Sequence, residues 1–141
     1  MSATCGNPVS MIFDTDVLIR FFRGDKAAAR LLDAERARAI SIVTFMELMQ
    51  GAESRAEVAV IRRFLREQGF ALVPIDEAIS YLAASLAEEH ARASGLRVAD
   101  ALIAATARER GEILATGNAR HFRSIAGLEL KVFRPAQSRP D

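Results

Sequence analysis

The stretch Val9-Ser10-Met11-Ile12-Phe13-Asp14-Thr15-Asp16-Val17-Leu18-Ile19 changes its period halfway along. Its first five residues form a short apolar run of strand length. From Val17 onward, Val17, Ile19, Phe21 and Phe22 follow with helical spacing. A strand that passes directly into a helix is the first half of a βαβ unit, and the same alternation recurs down the chain. Further strand-length runs lie at Ala39–Val43, Ala71–Ile75, Ile113–Ala115 and Leu128–Phe133, giving five expected strands. Strands alternating with helices predict an α/β fold in three layers, with a five-stranded parallel sheet covered by helices on both faces.

The intervening helices carry their own signals. Asp25 is placed to cap a second helix with Leu31 and Leu32. Met46, Leu48 and Met49 open a third, with Met46 and Met49 expected as core or helix-packing residues. Val58, Ile61, Phe64 and Leu65 make an apolar stripe opposite Arg62, Arg63 and Arg66, and Gly69 ends it. Asp76 can cap a long helix running to Gly95, and a last one spans about Arg97 to Arg110, stopped by Gly111. His90, in the Glu88-Glu89 stretch, is expected to face solvent.

At 141 residues, half of them hydrophobic, the chain has the size and apolar content of one domain. That domain is expected over residues 9–134, with flexible tails at 1–8 and 135–141. Cys5 has no partner for a disulfide, and no apolar run is long enough to span a bilayer. A cytoplasmic protein without membrane attachment is expected. The net charge of +1 is carried mostly by arginine, with Lys26 and Lys131 the only lysines. Arginine suits bidentate phosphate contact, although a GC-rich genome yields the same composition. Arg20 and Arg23, close to Asp14, are the better phosphate candidates. Arg62, Arg63 and Arg66 read as a solvated helix face.

Three acids interrupt apolar sequence: Asp14 after Val9–Phe13, Glu47 within Phe45–Met49, and Asp100 within Val98–Ala105. Removing a carboxylate from water requires a hydrogen bond, an ion pair or a metal. Each acid also has a local explanation. Thr44-Phe45-Met46-Glu47 fits a capping box, Asp100 falls in a first helical turn, Asp14 can be a turn residue, and Asp16 can be a cap. Ligands of parallel α/β sheets lie beyond the carboxyl ends of the strands, where strand order reverses, and these acids follow strands. Gathered there without histidine or cysteine, they would form an oxygen-only site suited to Mg²⁺ or Mn²⁺. Such a site can activate water for attack on a phosphodiester.

Four segments in order carry a family resemblance: Ile12–Ile19, Ser41–Leu48 with Gly51, Asp100–Ala107, and Leu114-Ala115-Thr116-Gly117-Asn118 with Phe122. Together they resemble the PIN-domain ribonucleases over roughly Ile12 to Phe133, and most of all the VapC-type toxins of bacterial toxin–antitoxin modules. The resemblance implies that Asp14, Glu47 and Asp100 bind the divalent metal and that Thr116 and Asn118 help complete the site. It further implies RNA cleavage, a homodimer, and inhibition by a cognate antitoxin. One departure stands out. Asn118 and His121 occupy the places where the family often has another acid. His121 is expected beside the site without a chemical role, orientation of a phosphate or protonation of a leaving oxygen being the alternative.

Two other functions fit parts of the chain. Loss of the fourth acid is compatible with a binding module that has lost catalytic strength. Asp14-Thr15-Asp16 also resembles the start of the haloacid-dehalogenase phosphatases, whose first aspartate is a nucleophile and whose second is an acid–base group. That family needs a placed downstream lysine and a late acid pair. Neither Lys26 nor Lys131 is well placed, and no late Asp-Asp pair is present.

Overall fold

The computed structural model describes residues 10–136. Cys5, the expected tail at 1–8 and residues 137–141 of the expected tail at 135–141 lie outside the described residues. Five strands and six α-helices follow in order: β1 (Met11–Phe13), α1 (Thr15–Phe22), α2 (Lys26–Ala34), β2 (Arg38–Ser41), α3 (Ile42–Gly51), α4 (Arg55–Glu67), β3 (Ala71–Val73), α5 (Glu77–Ser94), α6 (Val98–Arg110), β4 (Ile113–Thr116) and β5 (Leu130–Val132). The strands form one parallel sheet in the order β3-β2-β1-β4-β5. Strand order therefore reverses at β1, which pairs with β2 on one side and β4 on the other. This is the expected α/β architecture.

Side-chain alternation along the short central strands divides the core in two. Ile12, Ala39 and Leu114 point into one apolar cluster, which α5 and α6 complete with Ile79, Leu86, Ile103 and Ala104. Met11, Phe13, Ile40 and Ala115 point into the other, against Val17, Leu18, Leu32, Leu48, Ile61 and Leu65. Because β1 is buried on both faces, its sequence is apolar throughout rather than alternating. The second cluster also contains packed rings, with Phe64 between Phe21, Phe22 and Phe70.

The expected caps at Asp25 and Asp76 form, accepting from the N–H groups of Ala28 and Ile79 at 3.0 and 2.8 Å. Gly95 and Gly111 close α5 and α6 in the left-handed conformation. Several expectations are corrected. The second strand stops at Ser41 instead of Val43, because the Ser41 hydroxyl accepts from Val43 N–H at 3.1 Å and starts α3 there. Thr44 consequently lies inside the helix, and the Thr44–Glu47 capping box does not form. His90 is buried rather than solvated: the loop after β4 lies over it, and Ser124 Oγ stands 3.2 Å from its Nδ1. Met46 is exposed, whereas Met49 packs against the second core cluster. Ala136 N–H donates to Asp25 at 3.0 Å, so the second residue of the expected C-terminal tail is tied to the fold. Among the described residues, no helix is long and apolar enough to cross a membrane.

Candidate functional site

At the carboxyl end of β1 the chain turns straight into α1, and Asp14 occupies the junction. Its backbone is extended, and its Oδ1 accepts from Thr15 N–H at 2.8 Å, capping α1. Oδ2 accepts from the Thr116 hydroxyl at the end of neighbouring β4, at 2.7 Å. Thr116 Oγ in turn accepts from Asn118 N–H at 2.9 Å, which fixes the turn leaving β4. The reversal of strand order thus places side chains from two adjacent strand ends in direct contact.

Glu47 arrives from α3. The Thr15 hydroxyl donates to its Oε1 at 2.6 Å and shares a 3.0 Å hydrogen bond with the buried Thr44 hydroxyl. Starting α3 at Ile42 produces this geometry, since Thr44 and Glu47 then lie one turn apart and both meet α1. Asp100 comes from the first turn of α6, where its Oδ2 accepts from Arg97 N–H at 3.1 Å. The same oxygen lies 3.3 Å from His121 Nδ1, and that nitrogen lies 2.8 Å from the Asn118 side-chain nitrogen. A neutral Nδ1 accepts from Asn118, and a protonated one donates to Asp100, so this contact depends on the state of the imidazole.

Asp14, Glu47, Asp100, Asn118 and His121 all line one open cleft of about 530 Å³. Asp16, Thr15 and Arg97 line it as well, and none of the three was expected from sequence as a metal ligand. Asp16 does not serve as the N-cap, which is Asp14. Its Oδ2 accepts from Gly117 N–H at 3.0 Å, across the gap between α1 and β4. Its Oδ1 is the one buried side-chain polar atom without a hydrogen-bond partner among the described residues. The alternation of acids at positions 14 and 16 across a strand–helix junction was the available signal. Arg20 lowers the pKa of Asp16 by its charge, and Arg23 lines a neighbouring groove instead. Arg62, Arg63 and Arg66 face solvent as expected.

Among the described residues, no lysine or arginine forms an ion pair with the acids of this cleft. Burial pushes the Asp14 carboxyl from 3.8 up to about 7, with the nearby charges of Asp16 and Asp100 adding to the rise and the bonds from Thr116 and Thr15 opposing it. Burial also raises Asp16, against the opposing dipoles of Gly117 N–H and of Val17 N–H. Val17 N–H donates to the Asp14 carbonyl at 3.2 Å, and Asp16 Oδ1 has no hydrogen-bond partner. Among the described residues, no three acidic, histidine or cysteine side chains converge closely enough to make a preformed metal cluster. The donor chemistry nevertheless fits a hard divalent cation: the side chains are oxygen donors, two have raised pKa values, and one buried oxygen has no partner.

Comparison with known proteins identifies the family and the fold. The family model described as PIN domain matches residues 11–128. A toxin–antitoxin complex from Klebsiella pneumoniae contains a chain 33% identical to this one, with a TM-score of 0.72 over 84% of this chain and 94% of that one. DNA-bound VapBC from Salmonella typhimurium is similar at 26% identity and a TM-score of 0.75, covering 89% and 98% of the two chains. VapBC2 from Rickettsia felis, bound to a fragment of promoter DNA, shares the fold at 18% identity, with a TM-score of 0.74 and coverage of 89% and 99%. No curated protein matches the sequence.

Proposed function

Since the chain belongs to the PIN-domain family, we propose that it is the toxin of a toxin–antitoxin pair, a Mg²⁺- or Mn²⁺-dependent endoribonuclease held inactive by a cognate antitoxin. The observation that carries this reading is that Asp14, Glu47 and Asp100 line one cleft at the reversal of strand order, with the buried carboxyl of Asp14 raised to about 7. The likeness to VapBC complexes supports the partner. The family match removes the basis for the haloacid-dehalogenase alternative. Cytoplasmic location and a homodimer belong to the same proposal.

Asp14, Glu47 and Asp100 would hold the cation, which when bound supplies a Lewis acid for phosphoryl oxygens and lowers the pKa of water. The chain's own contribution is orientation. Thr15 N–H and the Thr116 hydroxyl grip the two oxygens of Asp14, and the Thr15 hydroxyl grips Glu47. Hydroxyl and amide donors fix the direction of a carboxylate without neutralising it. Arg97, exposed on the rim of the cleft, offers a charge for the RNA backbone, and Asn118 presents an amide that can orient a phosphate or a water molecule.

Cleavage of an RNA panel by the purified protein in Mn²⁺, and its loss in Asp14→Asn and Asp100→Asn, is the direct test. Expression of the wild type should arrest growth, and the same variants should relieve the arrest. Toxicity that persists in both variants rejects the mechanism. The second reading, a PIN-fold binding module, is favoured by Asn118 and His121 standing where another acid would complete the site. RNA bound but left intact in Mn²⁺ across the panel would establish it.

A further inference from the structure

The cleft contains an acid whose chemistry is incomplete. In Asp14 both oxygens receive hydrogen bonds, and Glu47 and Asp100 each have one oxygen engaged. Asp16 is held just as firmly on one side, where Gly117 N–H meets Oδ2 at 3.0 Å, while its Oδ1 is sealed from solvent with no partner. A buried carboxylate oxygen without a donor is unfavourable unless something outside the chain satisfies it. Position 117 is fitted to this placement. A Cβ on Gly117 would stand 2.7 Å from Asp16 Oδ2, so glycine is what lets the backbone N–H approach the carboxylate.

Resting on the metal-site reading above, we propose that Asp16 is a fourth carboxylate ligand of the cleft, with Oδ1 as the donor atom. The oxygen-only chemistry specifies a hard divalent cation, and a cation ligated by Oδ1 gives that atom the partner it lacks. Asp16 thereby supplies the acid that the turn after β4, with Asn118 and His121, does not contribute. Its position two residues after Asp14 puts both carboxylates on the same strand–helix junction. Gly117 acts as a positioning residue, fixing Oδ2 so that Oδ1 keeps one orientation.

Titration calorimetry with Mn²⁺ alone, on the full chain, tests this without reference to catalysis. Asp16→Asn retains the oxygen that accepts from Gly117 and removes the charge. The dissociation constant is expected to rise at least fivefold. A smaller change, in a wild type that binds Mn²⁺ and an Asp14→Asn variant that does not, overturns the role of Asp16 and leaves the proposed nuclease standing. A wild type that binds no Mn²⁺ rejects both. Melting in chelator reports whether Asp16→Asn folds. If it does not, Gly117→Ala, which displaces the carboxylate while keeping its charge, decides by the same fivefold threshold.

Discussion

Replacing Asp14 with asparagine should stabilise the metal-free protein, and by an amount that grows with pH. The carboxyl has a value of about 7 in the folded chain against 3.8 as the reference for the unfolded one. Between these two values the folded state holds a proton that the unfolded state has released, so stability falls as pH rises through this window. The penalty is absent below about pH 4 and complete above about 7, where it amounts to roughly 4 kcal/mol at about 1.4 kcal/mol per pH unit. Asparagine carries no charge, but its single carbonyl oxygen can accept from only one of Thr15 N–H and Thr116 Oγ, a loss of about 1 kcal/mol. The net gain at pH 8 is then roughly 3 kcal/mol, or about 5–10 °C in melting temperature. At pH 5 the penalty is only about 1.6 kcal/mol, and the two proteins should nearly coincide. Scanning calorimetry in chelator from pH 5 to 8.5 makes the comparison. A constant offset between wild type and variant across that range would refute the argument, because it would mean that Asp14 titrates alike in the folded and unfolded chains.

Removing the Thr15 hydroxyl in Thr15→Val frees Glu47 and leaves Thr44 Oγ without its partner, so Mn²⁺ affinity should fall severalfold by calorimetry. Thr15→Ser should restore it, since serine keeps the donor. Phe122 is fully buried in the cluster beneath α5 and α6, and Phe122→Ala should cost about 3–5 kcal/mol in urea unfolding, a loss under about 1 kcal/mol contradicting the packing described. Two glycine substitutions should have opposite signs in thermal melting. Gly111→Ala is strained at φ +65° and should destabilise by about 1 kcal/mol, whereas Gly51→Ala ends α3 in open space at an ordinary φ and should stabilise by about 0.4–1 kcal/mol.

The legible parts of this chain are those specified by local sequence. Apolar runs, the Asp25 and Asp76 caps and the glycine stops predict the βαβ alternation. Parallel pairing then brings the ends of β1 and β4 together without further information. Asp14 and Asp100 were visible because apolar neighbours surround them. The start of α3 was not, because Ser41 and Thr44 both have capping chemistry and only the fold selects Ser41. The contacts that shape the site span long distances in sequence: Thr15 to Glu47 across 32 residues, and Asp16 to Gly117 across 101. No local pattern encodes such a pair. His90 escaped for the same reason, since its cover comes from Ser124, which lies 34 residues away.

The way the acids are held indicates what the cleft is built to meet. The chain carries 19 lysines and arginines, yet the only ion pair that either makes among the described residues is Arg110 with Glu112, away from the cleft. Asp14 and Glu47 are instead gripped by hydroxyl and amide donors, and Asp100 by a backbone N–H with a histidine beside it. If the purpose of these contacts were stability, a guanidinium would serve better, because it would cancel the charge that burial penalises. Neutral donors set the direction of each carboxylate and leave its negative charge in place. In the metal-free protein that charge is a liability, expressed as the raised pKa values of Asp14 and Asp16. A bound divalent cation would convert the same charge into affinity. A fold that orients acids and pairs none of them with a lysine or arginine is therefore arranged for a cation that comes from outside the chain.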